Sequence, residues 1–92
     1  MSRVVVDLKN SVWQRYREPC AEPSRIPDYE ETVTKILVDA VAENGNDVVD
    51  VVCLTGTAPV WLYLVAYEVA RGYAATVVFN SPTSGEVIVY ER

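Results

Sequence analysis

Between Val48 and Asn80 the chain has one arrangement that restricts its fold more than any other. A nearly continuous Val, Cys and Leu run, Val48 to Leu54, is interrupted only by Asp50 and reads as an inner strand. Thr55-Gly56-Thr57 follows as a tight turn. Ala58 to Arg71 then reads as a helix, with Thr57 as its N-cap, Pro59 in its first turn and Gly72 just past its end. Tyr73 to Phe79 reads as a second inner strand, and Asn80-Ser81-Pro82-Thr83-Ser84-Gly85 is a polar loop. If the two strands are parallel neighbours, the turn at Gly56 and the loop at Asn80 emerge at the same end of the sheet, and a ligand fits between them. A turn of this kind also brings backbone N–H groups and two hydroxyls to a helix N-terminus, which suits an anionic group such as a phosphate.

The flanking sequence completes a small α+β pattern. Arg3 to Lys9 is a short apolar strand, Lys9-Asn10 reads as a hairpin turn, and Ser11 to Glu18 alternates as a second strand. Pro19 to Pro27 holds three prolines and reads as a connecting loop. Asp28 to Glu43 is the clearest amphipathic helix. Val33, Ile36, Leu37, Ala40 and Val41 form its apolar stripe, and Asn44-Gly45 ends it. Glu86 to Glu91 is the closing strand. The expected order is β-β-α-β-α-β-β, a two-layer sandwich of ferredoxin-like type with both helices on one sheet face. The other face is open or closed by a second chain. The helix at 58–71 is apolar on most sides, so it is either deeply buried or shared with a partner, and a homodimer is expected.

Composition narrows the chemistry. Ninety-two residues make a single domain, 1–92, with one modest core. No apolar run reaches the roughly 20 residues of a membrane span, and the N-terminus lacks the apolar core of a signal peptide, so a cytoplasmic protein with no membrane partner is expected. Cys20 and Cys53 are expected as free thiols, and there is no zinc ligand set. Histidine is absent, which removes the commonest acid/base near neutral pH. The net charge of −5 argues against long DNA or RNA as a partner. It leaves room for a small nucleotide held by backbone N–H groups and one or two arginines.

The run Thr55-Gly56-Thr57-Ala58-Pro59-Val60-Trp61-Leu62-Tyr63 resembles the Gly-x-x-Pro-[Ile/Val]-Trp-Leu segment of the Csx3-like ring-nuclease family of type III CRISPR accessory proteins. Val5 to Asn10 is similar to that family's first strand and turn, Val77 to Asn80 to its strand before the active loop, and Gly85 to Val89 to its closing strand. The resemblance implies a ferredoxin-like dimer that binds cyclic oligoadenylate, chiefly cyclic tetraadenylate, in a higher assembly around the ring, and linearises it. It also implies a manganese-dependent reaction using a histidine after the second helix and an aspartate at the end of the next strand. This chain has Arg71 and Asn80 at those places. The metal mechanism therefore does not carry over, and neither a metal nor another cofactor is expected. The leading reading is then metal-independent ring opening by the ribose 2′-OH, with binding without cleavage, as a sponge, as the alternative. A protein-interaction module with no nucleotide, docking through the second helix, is the reading from another class.

Candidate residues follow from both arguments. Ligand contacts are expected from Thr55, Gly56, Thr57, Trp61, Tyr63, Asn80, Ser81, Thr83 and Ser84. Catalytic roles fall to Arg71, Asn80 and Thr57, with backbone N–H groups near Gly56 and an arginine stabilising charge on the phosphorane. Each has a bland alternative. Trp61 and Tyr63 either stack on adenine or pack in the core. Arg71 either meets a phosphate or is a surface charge at a helix end. The Asn80–Ser84 loop either reads a ligand or is a solvated hairpin.

Overall fold

The computed structural model describes residues 2–13, 26–45, 48–81 and 83–92. The chain folds as β1 (Arg3–Asp7), a short π-helical turn (Leu8–Val12), α1 (Ile26–Asn44), β2 (Val49–Thr55), α2 (Val60–Ala70), β3 (Ala74–Ser81) and β4 (Gly85–Glu91). The four strands form one sheet in the order β1-β2-β3-β4. β1, β2 and β3 run parallel, and β4 returns antiparallel to β3. α1 and α2 pack against each other and both rest on β2, so helices and sheet make two layers.

The local sequence explains each element. In α1 the stripe buries Tyr29, Val33 and Leu37, while the hydroxyls of Thr32 and Thr34 donate back to the carbonyls of Asp28 and Glu30. The helix starts at Ile26, with Pro27 inside the first turn where its missing N–H costs nothing. Gly45, at φ +75°, ends it by donating its N–H to the Val41 carbonyl. β2 buries Val49, Val52, Cys53 and Leu54, as an inner strand must. At the other end of α2, Gly72 and Tyr73 donate to Val69 and Ala70, and the chain passes directly into β3.

Register separates the two sheet faces. Val6, Leu54 and Phe79 form one row and Val4, Val52 and Val77 another; both face the helices, and all but Phe79 belong to the core or pack against it. On the opposite face Val5, Cys53, Val78 and Ile88 lie side by side. The middle two are buried, whereas Val5 and Ile88 are 58% and 59% exposed. The Arg3–Glu86 ion pair spans this face from β1 to β4.

Three expectations change. The ferredoxin-like detail is not what these strands make: a split βαβ places another strand between the two that a crossover joins, whereas here both crossovers join adjacent parallel strands. The hairpin at Lys9-Asn10 is instead the π turn, because the Asp7 carboxylate caps it and tightens the chain into a helical path. The N-cap of α2 is Pro59, not Thr57, with no side-chain hydrogen bond, and the helix runs 60–70 rather than 58–71. Of the strand expected over Ser11–Glu18, Ser11 and Val12 lie in the π turn. Its remainder beyond Trp13, and Cys20 with most of the proline loop, lie outside the described residues.

Candidate functional site

Three parallel strands end at one edge of the sheet, and their last residues meet there. Asp7 pairs with Thr55 in register, and the Asn80 side-chain amide donates to the Thr55 hydroxyl at 3.3 Å. The expected convergence of the Gly56 turn and the Asn80 strand end is therefore present. A cleft of about 470 Å³ opens between them, lined by Thr55, Gly56, Thr57, Ala58, Val60, Tyr63, Phe79 and Asn80. α2 begins at its wall, so the positive end of the helix dipole faces it. Ligand sites in sheets of this kind characteristically lie outside the carboxyl ends of the strands.

Asp7 builds the floor of this edge. Its carboxylate accepts from the N–H of Lys9 at 3.0 Å, the N–H of Asn10 at 3.2 Å and the Asn10 side-chain amide at 2.8 Å. The Asn10 side chain first, then its backbone N–H, hold the Asp7 carboxyl below its usual pKa range. Gly56 lies against this turn at φ +100°. A Cβ on it would come within 2.4 Å of the Asp7 carboxylate oxygen and 2.9 Å of the Lys9 nitrogen. Only glycine fits, for conformation and for space. This also changes what a substitution there reports: replacing Gly56 disturbs the turn itself before any ligand is considered.

Tyr63 closes the other side. Its hydroxyl donates to the Gly56 carbonyl and its ring meets Phe79 edge-on at 5.0 Å. Burial, then the Asp7 and Cys53 charges, push the Tyr63 phenol above its usual value. Among the described residues the cleft thus offers hydroxyl and amide groups that can orient a ligand.

The remaining predicted residues divide. Thr55, Gly56, Thr57, Tyr63 and Asn80 line the cleft. Trp61 does not: its ring packs edge-on against Trp13 and Tyr29 at 5.7 and 5.4 Å, on the other side of α2. Ser81 is spent on the β3–β4 turn, where its hydroxyl accepts the N–H groups of Thr83 and Ser84. Arg71 caps the far end of α2, roughly 16 Å along the helix axis from Val60, and pairs with Glu68 at 3.5 Å. Asn80 and Arg71 thus stand at opposite ends of β3, and one chain does not bring them to one phosphate. The backbone of Lys9 lies beside Gly56. Sequence reasoning placed Asp7, Lys9 and Phe79 in strands and a turn but gave none of them a role in the site. The one local signal was Asp7 followed by Asn10, a side-chain-capped turn.

The manganese implied by the family resemblance does not fit these residues. Among the described residues no carboxylate, cysteine or histidine lines the cleft, and the nearby Asp7 carboxylate already accepts three hydrogen bonds. No protein-family profile matches the chain, and neither a curated protein nor a solved structure matches it. No helix among the described residues is long and apolar enough to cross a membrane.

Proposed function

We propose that this protein binds cyclic oligoadenylate, cyclic tetraadenylate in the first instance, and lowers its free level in the cytoplasm of a cell with a type III CRISPR system. The observation that carries the reading is the meeting of the Thr55-Gly56-Thr57 turn and Asn80 in one cleft at the start of α2. Such a cleft offers neutral donors and a helix dipole to a phosphate, while Tyr63 and Phe79 offer ring faces beside it. The resemblance of the Gly56–Leu62 segment supplies the particular ligand.

Sequestration is favoured over cleavage by two features: Arg71 lies at the far end of the helix, and no lining group among the described residues is a base near neutral pH. Ring opening by 2′-OH attack is the alternative, with in-line geometry imposed on the ribose. A homodimer is part of the proposal. The row Val5–Cys53–Val78–Ile88 has exposed aliphatic ends on a sheet face that no described helix covers, and a second copy covers it.

Incubation with cyclic tri-, tetra- and hexaadenylate, with and without EDTA, tests this when followed by chromatography and thermal melting. A tight binder at 100 Kd of ligand gains about 2.7 kcal/mol of stability. Intact ring with a raised melting temperature supports the sponge. A 2′,3′-cyclic phosphate product formed in EDTA supports ring opening, and strict manganese dependence overturns the metal-free scheme. No stabilisation by any ring overturns the nucleotide reading and favours a docking module, for which exposed Val60 and Leu64 on α2 are the available surface.

A further inference from the structure

A second hollow adjoins the polar cleft. It occupies about 400 Å³ between α2 and the β3–β4 pair, and its walls include Leu54, Leu64, Tyr67 and Val89. Val60, Tyr63 and Phe79 line both hollows, so the two adjoin across these three side chains as the two arms of one trench. One end carries hydroxyls and an amide. The other carries only aliphatic and aromatic side chains, none of them charged.

We infer that this apolar arm of the trench is a ring subsite, taking one flat heteroaromatic base of a nucleotide whose phosphate lies at the Gly56 turn. The inference rests on the cleft reading above and adds what the neighbouring arm does. A trench of this size, mostly apolar with a few polar groups clustered at one end, matches a ligand that has an apolar plate and a polar head. Three aromatic side chains, Tyr63, Tyr67 and Phe79, supply the faces. Val60 and Leu64, 76% and 64% exposed, form an aliphatic rim that a bound ring would cover.

The same lining sets the selectivity. No side chain of the apolar arm carries a group that pairs with a base edge except the two tyrosine hydroxyls, and that of Tyr63 is already committed to the Gly56 carbonyl. A base is therefore held by its faces, with its edges turned to water. Ring size is discriminated and edge pattern is not. Purines bind better than pyrimidines, while adenine and guanine bind alike.

Titration of the ¹⁵N-labelled protein tests this with five probes: inorganic phosphate, adenosine, and the monophosphates of adenosine, guanosine and cytidine. Adenosine is expected to move the amides of Leu64, Tyr67 and Val89, and phosphate those of Thr55 to Thr57. The adenosine and guanosine monophosphates should move both groups with affinities within about twofold, and the cytidine analogue should bind about tenfold more weakly. Leu64→Ser, at an exposed position, should weaken adenosine about tenfold and leave the phosphate titration unchanged. The subsite is overturned if adenosine leaves the groove amides unmoved, or if Leu64→Ser binds adenosine as the parent does. It is also overturned if Leu64→Ser turns a dimer into a monomer by light scattering while adenosine moves nothing, because a second copy then covers the groove. Failure of the cleft reading is separable. Adenosine in the groove with no response to phosphate or cyclic ring leaves the subsite and removes the cleft. A bound ring that moves Thr55 to Thr57 but no groove amide does the reverse.

Discussion

Two aromatic clusters flank α2, and they differ in what they leave uncovered. On one side Trp61 meets Trp13 and Tyr29, the latter fully buried, with ring centroids 5.4–5.8 Å apart. This cluster ties α1, α2 and the π turn together. On the other side Tyr63 meets Phe79 and Tyr67 meets Tyr90, and of these rings Tyr63, Tyr67 and Phe79 border the trench. Trp61 and Tyr63 are two residues apart, about 200° around a helix, so one must face away from the other. The first cluster is a seam built around the fully buried Tyr29. Of the second, Tyr63, Tyr67 and Tyr90 are partly buried against the core, as Trp13 and Trp61 are, but Tyr63, Tyr67 and Phe79 also line the trench, which adjoins the polar strand ends. The lesson is that aromatic content does not mark a site; the site is where aromatic faces stay accessible beside unspent hydrogen-bonding groups.

The comparison breaks most readily at Trp61. Trp61→Ala opens a cavity in the closed cluster and is expected to cost about 3–5 kcal/mol, with loss of cooperative thermal melting as the most severe result. Tyr67→Ala, on the open side, should cost markedly less by the same denaturant titration. Equal losses would mean that both clusters are core and that the trench is an accident of packing.

A second break comes at Gly56. Gly56→Ala forces a side chain into φ +100° and into the Asp7 carboxylate. The expected loss is about 1–3 kcal/mol. Because the turn moves, amides of Lys9 and Asn10 should shift along with those of Thr55 and Thr57 in the ¹⁵N spectrum. A variant of parental stability with an unchanged spectrum would show that the Asp7 turn does not clamp the cleft.

These two positions also show how much of the molecule was legible from its residues. The α1 stripe was readable because its opposite face is polar, so periodicity had a contrast to work with. The strand–turn–helix–strand unit and the meeting of Thr55 with Asn80 followed from apolar runs of strand length and from Gly56. The orientation of α2 was not readable. With apolar residues on most faces, nothing in the pattern says that Leu62, Ala66 and Ala70 look inward while Trp61 and Tyr63 flank them. The hairpin read at Lys9-Asn10 gave way to the π turn, because capping by Asp7 sets Leu8–Val12 on a helical path. The partnership of Asp7 with Gly56 depends on β1 lying parallel beside β2, a pairing across 48 residues from Asp7 to Thr55 that no local window contains. Arg71 was assigned by spacing alone, and the length of α2 carries it away from the cleft.

Smaller effects sharpen the boundary between scaffold and site. Asp7→Ala removes the cap of the π turn and should cost about 0.5–2 kcal/mol near neutral pH. The folded-state pKa of Asp7 is depressed, so its contribution is present above the unfolded value and is lost as pH falls through the folded one. The stability gap between parent and variant should therefore close below about pH 4. A gap that persists unchanged in acid would mean that the carboxylate acts through its shape and not its charge.

The smallest expected effect lies at Tyr63, and it separates the wall of the cleft from the floor. Tyr63→Phe keeps the ring against Phe79 and removes only the hydrogen bond to the Gly56 carbonyl. The expected loss is about 0.5–1.5 kcal/mol at neutral pH. The phenol is pushed up mainly by burial, so the folded state favours its neutral form. Its stabilisation is complete below the unfolded pKa of about 10 and is lost as pH rises through the higher folded value. The parent should then lose stability more steeply than Tyr63→Phe between about pH 9 and pH 11 by denaturant titration. Comparing the two chains cancels the other tyrosines, which both retain. Parallel curves would place the Tyr63 hydroxyl in water. In that case Tyr63 would be free to turn towards a ligand, and the wall of the cleft would be adjustable while its floor, fixed by Asp7 and Gly56, would not.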